Sequence, residues 1–140
     1  MPHGFFDHTG DIGIDIEAGD PGELFAEAAR ALTGIITDPA AIAARESRHL
    51  RLAGSALDLL LVDWLSEILY LFDAGRWLVS RAGITMGGGP GAWVLDAAID
   101  GEPFDRDRHA IRLVPKAITY HALAVIQRAG VWQARVVLDV

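Results

Sequence analysis

Two acidic positions at opposite ends of the chain have the clearest potential for chemistry. Asp139 stands one residue before Val140, so its carboxylate emerges beside the terminal one. Two negative groups that close repel unless a cation or a basic partner lies between them. Asp11 follows His8-Thr9-Gly10 at the entry to an alternating segment. Hard cations take several oxygen ligands, which carboxylates, main-chain carbonyls and water at converging strand ends can supply. Asp38, before Pro39, is a further candidate. Asp11 also has a plain alternative as a solvated turn residue, and Asp38 as an acid that shapes the turn before Pro39. If the first and last strands are neighbours, Asp11, Asp38, Asp139 and Val140 can meet at one edge, and an all-oxygen set of this kind suits calcium, magnesium or manganese.

Other reactive residue types give less. His109 and His121 could act as acid, base or ligand, but each stands alone near a strand end, where a hydrogen-bonded structural role is the simpler reading. No Ser/His/Asp spacing suggests a nucleophile. Lys116 could neutralise phosphate or steady a carboxylate cluster, or serve as an ordinary edge-strand charge. The glycine-rich run Met86-Gly87-Gly88-Gly89-Pro90-Gly91 lacks a following Gly-Lys-Ser/Thr and leads into a strand pattern. No helix N-terminus is therefore available to cradle phosphate, and a flexible hairpin loop is expected.

Composition narrows the class. At 140 residues the chain is expected to form one domain. Its formal charge of -7 disfavours stable nucleic-acid binding, which rests on clustered lysine and arginine. With no cysteine, disulfides and thiolate sites are absent and an intracellular location is expected. The N-terminus does not read as a signal peptide. The apolar stretch from Leu57 to Phe72 is interrupted by Asp58, Asp63 and Glu67 and is too short to span a bilayer, so a cytoplasmic protein is expected.

The candidates must be positioned by recognisable elements. Ile12, Ile14 and Ile16 alternate with Asp11, Gly13, Asp15 and Glu17, the pattern of a half-buried strand. Asp20-Pro21-Gly22-Glu23 signals a helix start, followed by Leu24, Phe25, Ala28, Leu32 and Ile35 at helical spacing and an end near Thr37-Asp38-Pro39. A short helical turn and a strand through His49 to Leu52 should follow. Ser55-Ala56-Leu57-Asp58 reads as a second capping box, opening a helix with a wide apolar stripe that packs on a sheet and closes at Gly75. Strands are expected at Trp77 to Ile84, Ala92 to Ile99, Lys116 to Ala122, Ala124 to Arg128 and Trp132 to Val140, with a turn at Asp100-Gly101. In the last strand, Trp132, Ala134, Val136, Leu138 and Val140 share one face. Together these elements predict an α+β fold.

Over nearly its whole length the sequence resembles the archease family. The matching segments are His8 to Ile14, Glu23-Leu24-Phe25 with Ala28-Ala29, Thr37-Asp38, Leu61 to Asp73, Gly101-Glu102, Arg108-His109, Lys116 to His121 and Leu138-Asp139-Val140. It departs from the family pattern at Gly10, where alanine is usual, at Val114-Pro115, where an acid and then an aliphatic residue are usual, and in a local insertion at Gly87 to Gly91. The resemblance implies a mostly antiparallel or mixed sheet packed by two main helices. It further implies a non-enzymatic cofactor of the RNA ligase RtcB, promoting guanylylation of the ligase histidine and repeated turnover in tRNA splicing and RNA repair. A divalent cation, calcium foremost, would sit at Asp11, Asp139 and Val140, with Asp38 as a further member. The alternatives are a metal-dependent phosphohydrolase using His8 or His121 as base, and a chaperone-like binding module.

Overall fold

Alternation at the start of the chain and at its end builds the main sheet of the computed structural model. The structure describes residues 2–8 and 10–140, with the side chains of Asp7 and His8 outside the description; Thr9, in the His8-to-Asp11 segment, lies outside the described residues. Strand β1 (His3–His8) pairs antiparallel with β2 (Asp11–Ala18), and β2 with the last strand, β8 (Val131–Asp139). On its other side β8 pairs with two short strands, β6 (Ala117–Ile118) and β7 (Ala124–Arg128), which makes it central. A second sheet, ordered β3-β5-β4, joins β3 (Glu46–Gly54), β5 (Ala92–Pro103) and β4 (Trp77–Gly89), again antiparallel throughout.

Helices α1 (Pro21–Ile36) and α2 (Leu57–Asp73) each contact both sheets. The apolar stripe of α2 is buried from Leu57 to Phe72, together with Leu24, Phe25, Ala28 and Leu32 of α1 and Ile14, Ile16, Val136 and Leu138 of the main sheet. Burying a side chain of this size stabilises by about 1.5–3 kcal/mol. Trp64 of α2 also donates its indole N–H to Phe25 O at 2.8 Å, tying the two helices together without leaving a buried polar group unpaired. No helix among the described residues is long and apolar enough to cross a membrane.

Local signals are met at α1. Asp20 is the N-cap and its carboxylate accepts the Glu23 N–H at 2.8 Å, Pro21 opens the helix, and Thr37 closes it. Glu23 accepts from Gly19 N–H at 3.3 Å, one residue before the cap, so the box is displaced by one position. After α1 a 3-10 turn, Pro39–Ala41, leads into β3.

Several expectations fail for physical reasons. The N-cap of α2 is Ala56, with no side-chain cap bond; the Ser55 carbonyl is instead taken by Gly91 N–H at 2.9 Å, which fastens the tip of the β4–β5 hairpin. Ala74, not Gly75, is the C-cap of α2, and the left-handed residue is Arg76 (φ 50), its guanidinium 5.3 Å over the Phe72 ring. The three glycines 87–89 lie within β4, leaving only a tight turn at Pro90-Gly91. Asp100-Gly101 is strand, not turn: β5 continues to Pro103 opposite a bulge between Val79 and Arg81, where a Cβ on residue 101 would lie 2.0 Å from Leu78 O. The expected strand from Lys116 shrinks to two residues because the chain turns after Ile118, with Leu123 N–H bonded to Tyr120 O at 3.3 Å. Strand β1 has no counterpart in the sequence reading.

Because the Asp20 carboxylate satisfies one of the orphan N–H groups that open α1, Asp20→Ala should lower unfolding stability by about 1 kcal/mol in urea titration, with the slope of the transition unchanged.

Candidate functional site

The β2–β8 ladder brings the chain ends together. Its pairs run Ala18↔Trp132, Ile16↔Ala134, Ile14↔Val136 and Ile12↔Leu138, and one further step of this antiparallel register sets Asp11 across from Asp139. Residues directly opposite in such a pair have Cβ atoms about 4.5–5.5 Å apart. Ile12 and Leu138 belong to the core face, so alternation gives Asp11 and Asp139 to the opposite face. On β1, His8 pairs with Asp11; its side chain is outside the description. On the far side of β8, Ala117 pairs with Asp139, and Lys116 N–H donates to Asp139 O at 2.7 Å. Asp139 and Lys116 are exposed, and Asp11 and Val140 are half-buried.

Further along the same face, the basic charge is already committed. Arg135 makes a two-pronged contact with Asp15, Nε to Oδ1 at 2.8 Å and a terminal nitrogen to Oδ2 at 3.0 Å, and lies 4.4 Å over the Phe6 ring. That ring covers Gly13, where a Cβ would come within 2.1 Å of it. Beyond this tier, towards the sheet end, the same register sets Asp11 across from Asp139, whose main-chain carbonyl is held by Lys116 N–H. Carboxylate and main-chain carbonyl oxygens of this kind are the donor types that a hard divalent ion takes. Among the described residues no group of three or more His, Cys, Asp or Glu side chains is placed to hold a metal, so further oxygens, water among them, would have to complete the coordination.

Asp38 is engaged locally, its carboxylate accepting Ala40 N–H at 3.0 Å as cap of the 3-10 turn. His121 is exposed in the turn after β6, its main-chain N–H bonded to Thr119 Oγ1 at 3.2 Å.

His109 belongs to a second cluster that residue spacing does not reveal. Glu102, at the end of β5, is fully buried. Its carboxylate accepts from both terminal nitrogens of Arg108, from Ala43 N–H at 2.7 Å and from the buried His109 Nε2 at 2.9 Å. Asp105 N–H donates to His109 Nδ1 at 2.9 Å, so the ring proton sits on Nε2 and points at Glu102. The Arg108 guanidinium foremost, helped by the Ala43 and His109 bonds, outweighs burial and holds the Glu102 carboxyl at about 2. The ensemble is a structural clamp fixing the crossing from β5 towards Lys116. Its three residues are scattered over a strand end and a loop, with no periodicity to mark them.

The architecture defines a class: an α+β domain with two helices against two antiparallel sheets, closed by pairing of its second strand with its last. The family model for the Archease protein family matches residues 3–140, and the chain belongs to that family. It is 34% identical over 139 residues to protein archease of Methanopyrus kandleri, covering 99% of both chains, and 32% identical to protein archease of Sulfolobus acidocaldarius, covering 97% of this chain and 96% of the other. The solution structure of Methanobacterium thermoautotrophicum protein 1598 superposes with a TM-score of 0.84 at 28% identity, over 99% of each chain. A Thermotoga maritima structure described as an archease and possible chaperone shares the fold, at a TM-score of 0.60 and 20% identity over 96% of this chain and 94% of that one. These relatives are named as archease proteins, and none as an enzyme.

Because the Glu102 carboxyl is depressed from 4.5 to about 2 in the fold, its contribution is fully present above 4.5 and is lost as pH falls through that interval. Glu102→Gln should cost roughly 2–3 kcal/mol near neutral pH, less than a fully buried pair because Arg108 keeps some solvent, and should flatten the acid limb of a urea-midpoint-versus-pH curve.

Proposed function

We propose that this chain is a non-enzymatic activator of an RtcB-type RNA ligase, acting in the cytoplasm in tRNA splicing or RNA repair, and that Asp11, Asp139 and the terminal carboxylate of Val140 hold a divalent cation, calcium foremost and magnesium or manganese by the same chemistry. The observation that supports this most directly is the β2–β8 register, whose continuation sets an acid from near each end of the chain across from the other. Family membership supports the ligase as partner. When bound, the cation would supply positive charge for the phosphates of a nucleotidyl transfer whose nucleophile belongs to the ligase. Asp11 and Asp139 would set the ion's position, and Lys116 would add a second positive charge at the same edge. Asp38, committed to its turn, is the least needed of the proposed ligands.

The decisive assay is RNA ligation with the ligase substoichiometric to RNA. Wild-type chain should support many turnovers and Asp139→Ala few; equal stimulation by both would remove the metal-centred mechanism. Isothermal titration with calcium should show binding that Asp11→Asn or Asp139→Asn weakens at least tenfold, on the order of the loss of one charged ligand. Residues appended after Val140 should impair activation while leaving the thermal midpoint unchanged. Hydrolysis of phosphate esters by the chain alone would favour a phosphohydrolase instead, and suppression of client aggregation without ligase a chaperone-like role.

A further inference from the structure

At the end of the second sheet, the β5-to-β6 connection and the residues entering β3 enclose a groove of about 430 Å³ whose lining includes Arg45, Glu46, Phe104, Asp105, Arg106 and Arg108. Three arginines from two chain segments converge there in a chain of net charge -7. Their states differ. Arg108, 41% exposed, is pinned: its terminal nitrogens are on the buried Glu102, and its Nε is 3.3 Å from Asp105 Oδ2. Arg45, 67% exposed, is 3.7 Å from Glu102 at its nearest, too far for a hydrogen bond. Arg106 is exposed and has no acidic partner among the described residues.

The carboxylates beside them are occupied. Glu102 serves Arg108, Ala43 and His109. Glu46 accepts the Trp77 indole N–H at 2.8 Å, and Asp105 accepts Asp107 N–H at 2.9 Å as well as Arg108 Nε. Open guanidinium N–H groups of Arg45 and Arg106 therefore face one groove beside a third guanidinium already immobilised by a buried counter-ion, so part of the ordering cost of recognition is met before a ligand arrives. Paired guanidinium donors match the oxygens of phosphate. Phe104, half-buried and packed edge-on to Phe72 at 5.9 Å, adds an apolar wall suited to a ring. The groove has the size of a small-ligand site. Glu46 and Asp105 at its margin would repel a continuous run of phosphates, which selects a single phosphate over a polyanion.

We propose that this groove binds a small phosphate monoester of nucleotide size, its phosphate on Arg45, Arg106 and Arg108. The site lies on different elements from the Asp11–Asp139 edge and does not depend on ligase activation. Titration of the isotope-labelled full chain with adenosine 5′-monophosphate and with inorganic phosphate, followed by amide chemical shifts, tests it without any ligase. Shifts should centre on residues 45–46 and 103–108. Arg45→Ala and Arg106→Ala, both at exposed positions that leave the fold intact, should each weaken binding about tenfold, the usual size of one lost charged hydrogen bond. Arg30→Ala, on α1 and outside the groove, should leave it unchanged. Tighter binding of the nucleotide than of inorganic phosphate upholds the site with its Phe104 wall, and equal affinity would overturn the assignment to a monoester of nucleotide size. No perturbation at millimolar ligand, or equal weakening by Arg30→Ala, would overturn it.

Discussion

Everything in the main sheet depends on one long-range ladder, the antiparallel pairing of β2 with β8. It joins residues more than a hundred positions apart, so it closes almost the whole chain into a loop. That entropy grows only slowly with loop length and is offset by burial along the seam: Ile14, Ile16, Ala134, Val136 and Leu138 are all within the core. The period-two repeat fixes the register sharply, since a slip of one residue would turn these apolar groups to solvent and the acids inward. Packing of the isoleucines thus dictates where Asp11 and Asp139 stand. The geometry of the acidic edge is a by-product of core formation and needs no loop of its own to build it.

The crossing between the sheets is organised differently. From Pro103 to Lys116 the chain has little regular structure, and charge takes over the role that apolar burial plays elsewhere. Glu102 gathers Arg108, His109 and the Ala43 N–H, and the segment is further held by Thr37 Oγ1 to Ala110 O at 2.7 Å and Arg112 N–H to Ile36 O at 2.7 Å. A buried carboxylate is tolerated only when its oxygens are fully served, and here they are. The loop consequently delivers Lys116 to the edge of β8 in a defined position.

Much of this was legible in the residues. Alternation located β2 and β8 with the correct faces, the Asp20-Pro21 signal located α1, and the apolar stripe of α2 predicted its buried residues. The α+β class followed from the element order. What was missed has recognisable causes. Strand β1 carries no alternation, since His3-Gly4-Phe5-Phe6 mixes polar, small and aromatic groups. Ser55 satisfies a cap pattern while its carbonyl holds a hairpin tip, a tertiary contact that local sequence cannot register. Glycine was read as a turn at 101, where close approach of Leu78 O demands it inside a strand. The acids of the candidate site were visible as types, and their alignment became visible only through the ladder. The arginine groove had no signature, because its residues come from two separate segments.

The strand order has a consequence for how the protein is made. Strand β8, flanked by β2 on one side and by β6 and β7 on the other, follows all of its partners in the chain. The second sheet and both helices can assemble earlier, but β2 has no strand to pair with along its inner edge until β8 has been made. A chain arrested before β8 would leave that edge of β2 open and β6 and β7 without their shared neighbour, a state prone to aggregation. Emergence of β8 is therefore the event that commits the domain to its fold, and the same strand ends in the acid that its proposed activity needs.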